Sequence, residues 1–281
     1  MTREHREGQT YAPETIHGFY DLLAAIFHSA VERDLIGRSP CRGIQLPQII
    51  RQEKRYLSSD EVEGLVEATA PIYKTLVLVA AYLGLRWQEI AGLKRQAFTV
   101  RSGRLASVRV VSTIERSNGL YRPIEIGKTR AARRTLKVPE FLKQAIVVQL
   151  QNVPDESVWV FPAPQGGFLR YDNFMKRNWG PAVHQARLAP LTFHELRHTA
   201  AALMIDEGAD PLQVKRRMGH EDIRTTLNTY GHLFPDREDD LVVALDARRN
   251  LARERHADSL RTEGPSRVVG LHAPLAADQG L

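Results

Sequence analysis

The sequence predicts an α-dominant α+β fold in which helices surround one small antiparallel sheet. Three observations carry that reading. Apolar residues recur at helical spacing over most of the chain, with cap residues at several starts. Only residues 104–139 switch to the two-residue period and β-branched content of strands. The composition, 43% hydrophobic and 26% charged over 281 residues, is that of a soluble globular chain able to bury one sizeable core.

In chain order, Ile16, Tyr20, Leu23, Phe27, Ala30 and Val31 mark one amphipathic helix over about 13–35, stopped by Gly37 and Pro40. From Arg38 to Lys54, two prolines and scattered charge without a clear period read as a connector. Ser58 and Glu61 form a capping box, each side chain satisfying a backbone NH of the first turn, and open a helix at about 59–69. YKTLVLVAAYLGL is apolar around most of its circumference, hence a buried central helix ending at Gly84, with Arg86 and Glu89 directly after it. RLASVRVV, YRPIEI and RRTLKVP are expected to form a three-stranded antiparallel sheet, with turns at SNG and GKTRAA.

Helical patterns resume at 140–151 and 171–186. Thr192 with Glu195 forms a second capping box for a helix running to Gly208, and Asp210-Pro211 starts a short helix ending near Gly219. A helix from about Glu221 carries Tyr230, REDDLVVALDARRNLARER forms another, and a disordered tail is expected after Ser259.

The formal charge is +6, unevenly placed: from Asp236 onward nine acids outnumber seven arginines, which leaves +8 on the first 235 residues. A basic body favours a polyanionic partner. The densest run is 122–137, where Arg122, Lys128, Arg130, Arg133, Arg134 and Lys137 face one acid, Glu125, a balance suited to a DNA backbone. Cys41, the single cysteine, excludes an internal disulfide and fits a reducing compartment. The N-terminus lacks an apolar signal core, and Leu76 to Leu85 is too short to span a bilayer. A cytoplasmic location without a membrane partner is expected.

Metal-free phosphodiester transfer needs a nucleophile that holds the cut strand, cations to neutralise the five-coordinate phosphorus, and an acid for the leaving 5′ oxygen. Five separated segments supply these residue types. LGLRWQEIAGL at 83–93, GKTRAARRTLKVP at 127–139 and HELRHTAAALMIDEGADPLQVKRRMGHEDIRTTLNTYGHL at 194–233 resemble the tyrosine recombinases of the phage-integrase type in order, spacing and residue type. The likeness runs from about residue 12 to 235.

The resemblance implies a site-specific recombinase in which Tyr230 forms a 3′-phosphotyrosine, with no metal or nucleotide cofactor. It makes Arg86 and Arg197 the phosphate clamps, a task that suits the planar guanidinium fork. Lys128 would protonate the leaving 5′ oxygen, His194 would donate a hydrogen bond or proton, and His220 would hold a nonbridging oxygen. Glu89 would buttress the site, while Arg130, Arg133 and Arg134 would contact the DNA backbone. His198, one position past Arg197, is expected to be structural.

The partners implied are double-stranded DNA, three further copies in a homotetramer, and accessory DNA-bending or directionality proteins. Leu241, Val242 and Leu245 are expected to dock a neighbouring protomer. The domains expected are a partial, N-terminally shortened core-binding domain at 1–48, a linker at 49–55, the catalytic domain at 56–235, and a C-terminal helix and tail at 236–281. The apolar stripe of the first helix has no evident partner within residues 1–50.

Other readings compete at single residues. Arg86 alone suits a helix C-terminus through the dipole, and a lone tyrosine on a helix is usually packing. HELRH also satisfies the H-E-x-x-H zinc pattern, with Glu221 as a third ligand, but zinc leaves Arg86, Lys128, RMGH and Tyr230 unexplained. A type IB topoisomerase-like activity would share the chemistry and rejoin the same strand. A DNA-binding remnant without turnover would form no adduct.

Overall fold

The computed structural model describes residues 11–49, 54–101, 104–126 and 133–262. Contacts divide the chain into two units, with the boundary between Arg55 and Tyr56. In the first unit, helix α1 (Pro13–Glu32) starts with proline at its first helical position, where a missing NH costs nothing. His17 Nε2 lies 2.9 Å from the Pro47 carbonyl, and Tyr20 donates to the Cys41 carbonyl at 3.1 Å. Ile16, Tyr20, Phe27, Ala30 and Val31 are half-buried, and His17 and Tyr20 are tied to the connector, contacts that the sequence reading did not foresee. Phe19, Leu22, Leu23 and Ile26 stay exposed, and α1 has no fully buried residue.

The second unit opens with α2 (Ser59–Ala68), whose Ser58–Glu61 capping box forms as expected. Next comes α3 (Lys74–Leu83), with Leu76, Val77, Val79, Ala80 and Leu83 buried against α2 and later helices. Each such leucine contributes roughly 1.5–3 kcal/mol by leaving water. The helix ends at Gly84 in the left-handed region (φ 65°), which a glycine adopts without the Cβ penalty. A short helix, α4 (Trp87–Ala91), follows at once.

Strand β2 (Arg104–Val110) pairs antiparallel with β1 (Phe98–Arg101) on one side and with β5 (Arg134–Lys137) on the other, so that Val108 lies opposite both Phe98 and Leu136. Between them in sequence, β3 (Ser112–Ser117) and β4 (Leu120–Glu125) form a separate hairpin turned by Asn118-Gly119, both at positive φ. A three-stranded antiparallel sheet is therefore present, but its membership is corrected: YRPIEI belongs to the hairpin, and β1 takes its place at the edge.

The reason lies at Gly92. The Ser112 hydroxyl donates to the Gly92 carbonyl, and a Cβ on Gly92 would come within 2.7 Å of Thr113 Cα. That close approach draws the chain out of the sheet after β2 and lays the hairpin on α4.

Helix α5 (Glu140–Asn152) leads on to α6 (Tyr171–Phe174), a π-turn over Met175–Trp179, and α7 (Gly180–Gln185). The single helix expected at 171–186 thus carries a wider turn, placed where Pro181 has no NH to donate to the preceding turn. The rings of Trp87, Phe174, Trp179 and Phe193 meet mostly edge to face, and Trp179 Nε1 donates to the Leu191 carbonyl at 2.9 Å. This cluster fixes residues 191–193 and so the start of α8 (Glu195–Asp206).

Thereafter come α9 (Pro211–Met218), capped by Asp210 and Gln213 and ended by left-handed Gly219, then α10 (Ile223–Tyr230) and α11 (Glu238–Thr262). Leu241, Val242, Val243, Leu245 and Leu251 of α11 are exposed. Among the described residues no helix is long and apolar enough to cross a membrane. The disordered tail expected after Ser259 is corrected at its start, because α11 continues to Thr262; from residue 263 the chain lies outside the described residues.

Candidate active site

The site is built from the ends of helices. Arg86 caps the start of α4, and Glu89 one turn on reaches back to accept from the Arg86 NH at 2.8 Å. Glu89 is 4% exposed, and its two oxygens accept a bidentate fork from Arg134 at 2.7 and 2.8 Å. Arg86 also touches it, Nη1 to Oε1 at 3.3 Å, while 39% of the Arg86 side chain faces solvent. Burial would raise the Glu89 carboxyl, but the hydrogen bonds and charges of Arg134 and Arg86 more than offset this and hold it below the usual carboxylate range.

The expected role of Arg134 is therefore corrected. Instead of standing among solvent-facing cations, it is buried in the Glu89 pair and donates through Nε to the Arg217 carbonyl at 2.7 Å. It ties β5 to α4 and α9. Arg133, its neighbour, is exposed, donates to the Ile126 carbonyl at 2.8 Å and faces Glu125 at 3.7 Å. Lys128 and Arg130 lie outside the described residues.

Arg197, in the first turn of α8, is 3% exposed. Its guanidinium donates to the carbonyls of Gly84 and Met218, the last groups of α3 and α9. Burial first, then the nearby Arg86 charge, lowers its pKa to about 9, which still leaves it cationic at neutral pH. Gly84 is required here twice over. Its φ is positive, and a Cβ would stand 2.9 Å from Met218 Sδ and 3.2 Å from Ala200 Cβ. Gly84→Ala is expected to lower the melting temperature and slow catalysis together, because the left-handed strain alone costs roughly 1–2 kcal/mol and the shift displaces an Arg197 acceptor. Thermal melts and cleavage assays on the same preparation check this.

Tyr230 closes α10 and is 1% exposed. Its hydroxyl lies 2.8 Å from Nδ1 of His198, and His220 stacks on its ring with centroids 6.4 Å apart. His220 is in turn held through Nδ1 by Thr226, itself fully buried, at 2.9 Å. His194, exposed at the start of α8, meets the His198 ring edge to face at 4.9 Å. Burial raises the Tyr230 phenol to about 12 despite the opposing pull of Arg197 and Arg86.

Arg86, Arg197, His198, His220 and Tyr230 therefore share one site, joined through His198 by His194. Sequence reasoning set His198 aside as structural. One signal was available: His198 sits four residues from His194, a spacing that makes neighbours on a helix just as the three-residue spacing of His194 and Arg197 does. Among the described residues no three His, Cys, Asp or Glu side chains gather as a metal site. Beside His220 a cavity of about 930 Å³ is lined by Lys137, Lys215, Arg216 and Arg217.

The model of the phage integrase family matches residues 55–237, which is the whole span that builds this site. The chain belongs to the phage integrase family of tyrosine recombinases. It is an enzyme of DNA strand breakage and rejoining. The recombinase is 23% identical over 263 residues to the ICEBs1 integrase of Bacillus subtilis, covering 87% of this chain and 68% of that one. It is 27% identical to a XerC-like tyrosine recombinase of Caldanaerobacter subterraneus (85% and 67% covered) and 29% identical to the putative prophage phiRv2 integrase of Mycobacterium tuberculosis (80% and 60%).

Among solved structures it resembles the Tn1549 transposon integrase in complex with a circular intermediate DNA, with a TM-score of 0.70 at 20% identity over 86% of this chain and 80% of that one. The XerA recombinase gives 0.51 at 20% identity, over 85% and 83%. These likenesses are to the fold.

Proposed function

We propose that this recombinase cuts double-stranded DNA through Tyr230, with Arg86 and Arg197 clamping the scissile phosphate. The observation that carries the reading is the enclosure of the Tyr230 hydroxyl within one site that also holds two arginines and three histidines. Attack of the phenol oxygen on phosphorus gives a 3′-phosphotyrosine and a free 5′-hydroxyl, and a second strand's hydroxyl later reverses the step. The phosphodiester bond energy is kept, so no nucleotide is consumed. Cationic guanidinium groups would neutralise the charge that develops on the phosphorane, as a metal does elsewhere.

His194 and His220 would hydrogen-bond the nonbridging oxygens. Lys128, in the GKT turn, would protonate the leaving 5′ oxygen. Arg133 and the basic cavity beside His220 supply cations suited to flanking phosphates. The exposed apolar residues Leu241, Val242 and Leu245 of α11 support docking onto a second copy, the contact through which a tetramer would assemble on DNA. A cytoplasmic location is part of the same reading, since the substrate is DNA.

The test uses a pool of duplexes nicked beside a randomised core, so that cleavage releases a short strand and traps the adduct. The chain is expected to recover a preferred duplex as a covalent complex. Failure to form an adduct with any member would refute the reading, and an adduct without strand exchange would favour the topoisomerase-like alternative.

On the selected duplex, Lys128→Ala should cleave poorly but recover when sulfur replaces the 5′ bridging oxygen, because a thiolate leaves without a proton. Equal damage on both substrates removes Lys128 from the acid role. Arg133→Ala with Arg216→Ala should weaken binding evenly across unrelated sequences and flatten the salt dependence, by roughly one unit of slope for each phosphate no longer neutralised.

A further inference from the structure

We infer that His198 is a catalytic residue of this recombinase, accepting the Tyr230 proton during cleavage and returning it during rejoining. The inference rests on the reading of Tyr230 as nucleophile. It starts from geometry: Nδ1 of His198 lies 2.8 Å from the Tyr230 hydroxyl, within direct proton-transfer reach, and His198 projects from the same helix that carries His194 and Arg197. His220 is placed differently, stacked on the ring face with its Nδ1 engaged by Thr226.

The chemistry needs such a group. A phenol raised to about 12 is ionised in roughly one molecule in 10⁵ at pH 7, so attack by preformed phenolate is a rare event. An ordinary imidazole is several units less basic than that phenolate, so full transfer before attack is disfavoured as well. The proton must move while the new bond forms.

In the balanced step, neutral His198 carries its proton on Nε2 and accepts from Tyr230 at Nδ1. As the Oη–P bond forms, the Oη–H bond breaks and His198 becomes a cation. The P–O5′ bond then breaks, and the 5′ oxygen takes a proton from the acid assigned to Lys128. Rejoining reverses every transfer. The charged and titratable groups around this pair are His194 and Arg197 from α8, His220 and Arg86, and Tyr56, whose hydroxyl bonds His232 at 3.3 Å. The two arginines favour the phenolate, which lowers the demand on the imidazole.

The test compares His198→Ala and His198→Asn on the selected nicked duplex, in chains carrying tyrosine or increasingly fluorinated tyrosines at position 230. With ordinary tyrosine both variants should bind the duplex normally and form adduct on the order of 10²–10⁴-fold more slowly. The deficit should shrink steadily as fluorination makes the phenol more acidic. Asparagine can accept the hydrogen bond but cannot hold the proton, so its failure to rescue supports proton transfer. Recovery in His198→Asn, or a deficit unchanged across the fluorinated series, would overturn the inference and leave His198 a positioning residue. An undiminished rate in His198→Ala would remove even that role. Adduct formed by Tyr230→Phe would instead sink the nucleophile reading, an outcome distinct from all of these.

Discussion

Tyr230→Phe is expected to bind the selected duplex as tightly as the parent chain and to form no covalent adduct at all. One oxygen is removed, and the ring that packs at 1% exposure against His198 and His220 stays. The fold should barely notice, because losing a single hydrogen bond to His198 changes stability by about 1 kcal/mol. Denaturing gels after incubation with the nicked duplex, alongside gel-shift titrations, read both halves of the expectation. A residual adduct would show that one of the seven other tyrosines can serve.

The second large effect concerns Arg134. Truncating it to alanine strands the Glu89 carboxylate, 4% exposed, with Arg86 as its remaining cationic partner. Breaking one side of a buried ion pair costs about 3–5 kcal/mol, so Arg134→Ala should unfold at clearly lower denaturant. A buried pair is often replaceable by apolar residues of similar volume at little cost. The double variant Glu89→Leu with Arg134→Leu should therefore regain much of the stability while cleavage stays low, because Arg86 is left without the carboxylate that orients it. Denaturant melts and adduct yields on both variants form the check. Recovery of cleavage along with stability would show that the pair serves the fold alone.

Arg134 illustrates where sequence reading stops. Its neighbours in the 122–137 run were legible as a cationic cluster, since charge density needs no coordinates. Which member turns inward depends on strand register: Arg134 and Leu136 alternate inward from β5 while Thr135 and Lys137 face out. Helix starts were largely readable because caps are local, as Ser58 with Glu61 and Asp210-Pro211 show; of the box expected at Thr192 and Glu195 only the bond from the Thr192 NH to the Glu195 carboxylate forms, and α8 starts at Glu195 with His194 before it. The sheet was only half readable, because pairing partners are distant in sequence, and the departure of β3 is set by Gly92, twenty residues upstream of Ser112. The residue types of the candidate site could be listed from motif order, but the hydrogen bond between His198 and Tyr230 joins positions thirty-two apart on different helices.

The grip of Arg197 on the ends of α3 and α9 bears on how copies of such a gene decay. Arg197 is buried, and its guanidinium holds two helix-terminal carbonyls, so its loss removes the cation proposed to clamp the phosphate and also unmakes the joint between three helices. Arg86 presents much of its side chain to solvent, and Tyr230 can surrender one oxygen. Inactive copies that persist as folded, DNA-retaining proteins, able to occupy a site and compete with active ones, should therefore carry lesions at Arg86 or Tyr230. Lesions at Arg197 should instead mark copies whose product the cell degrades.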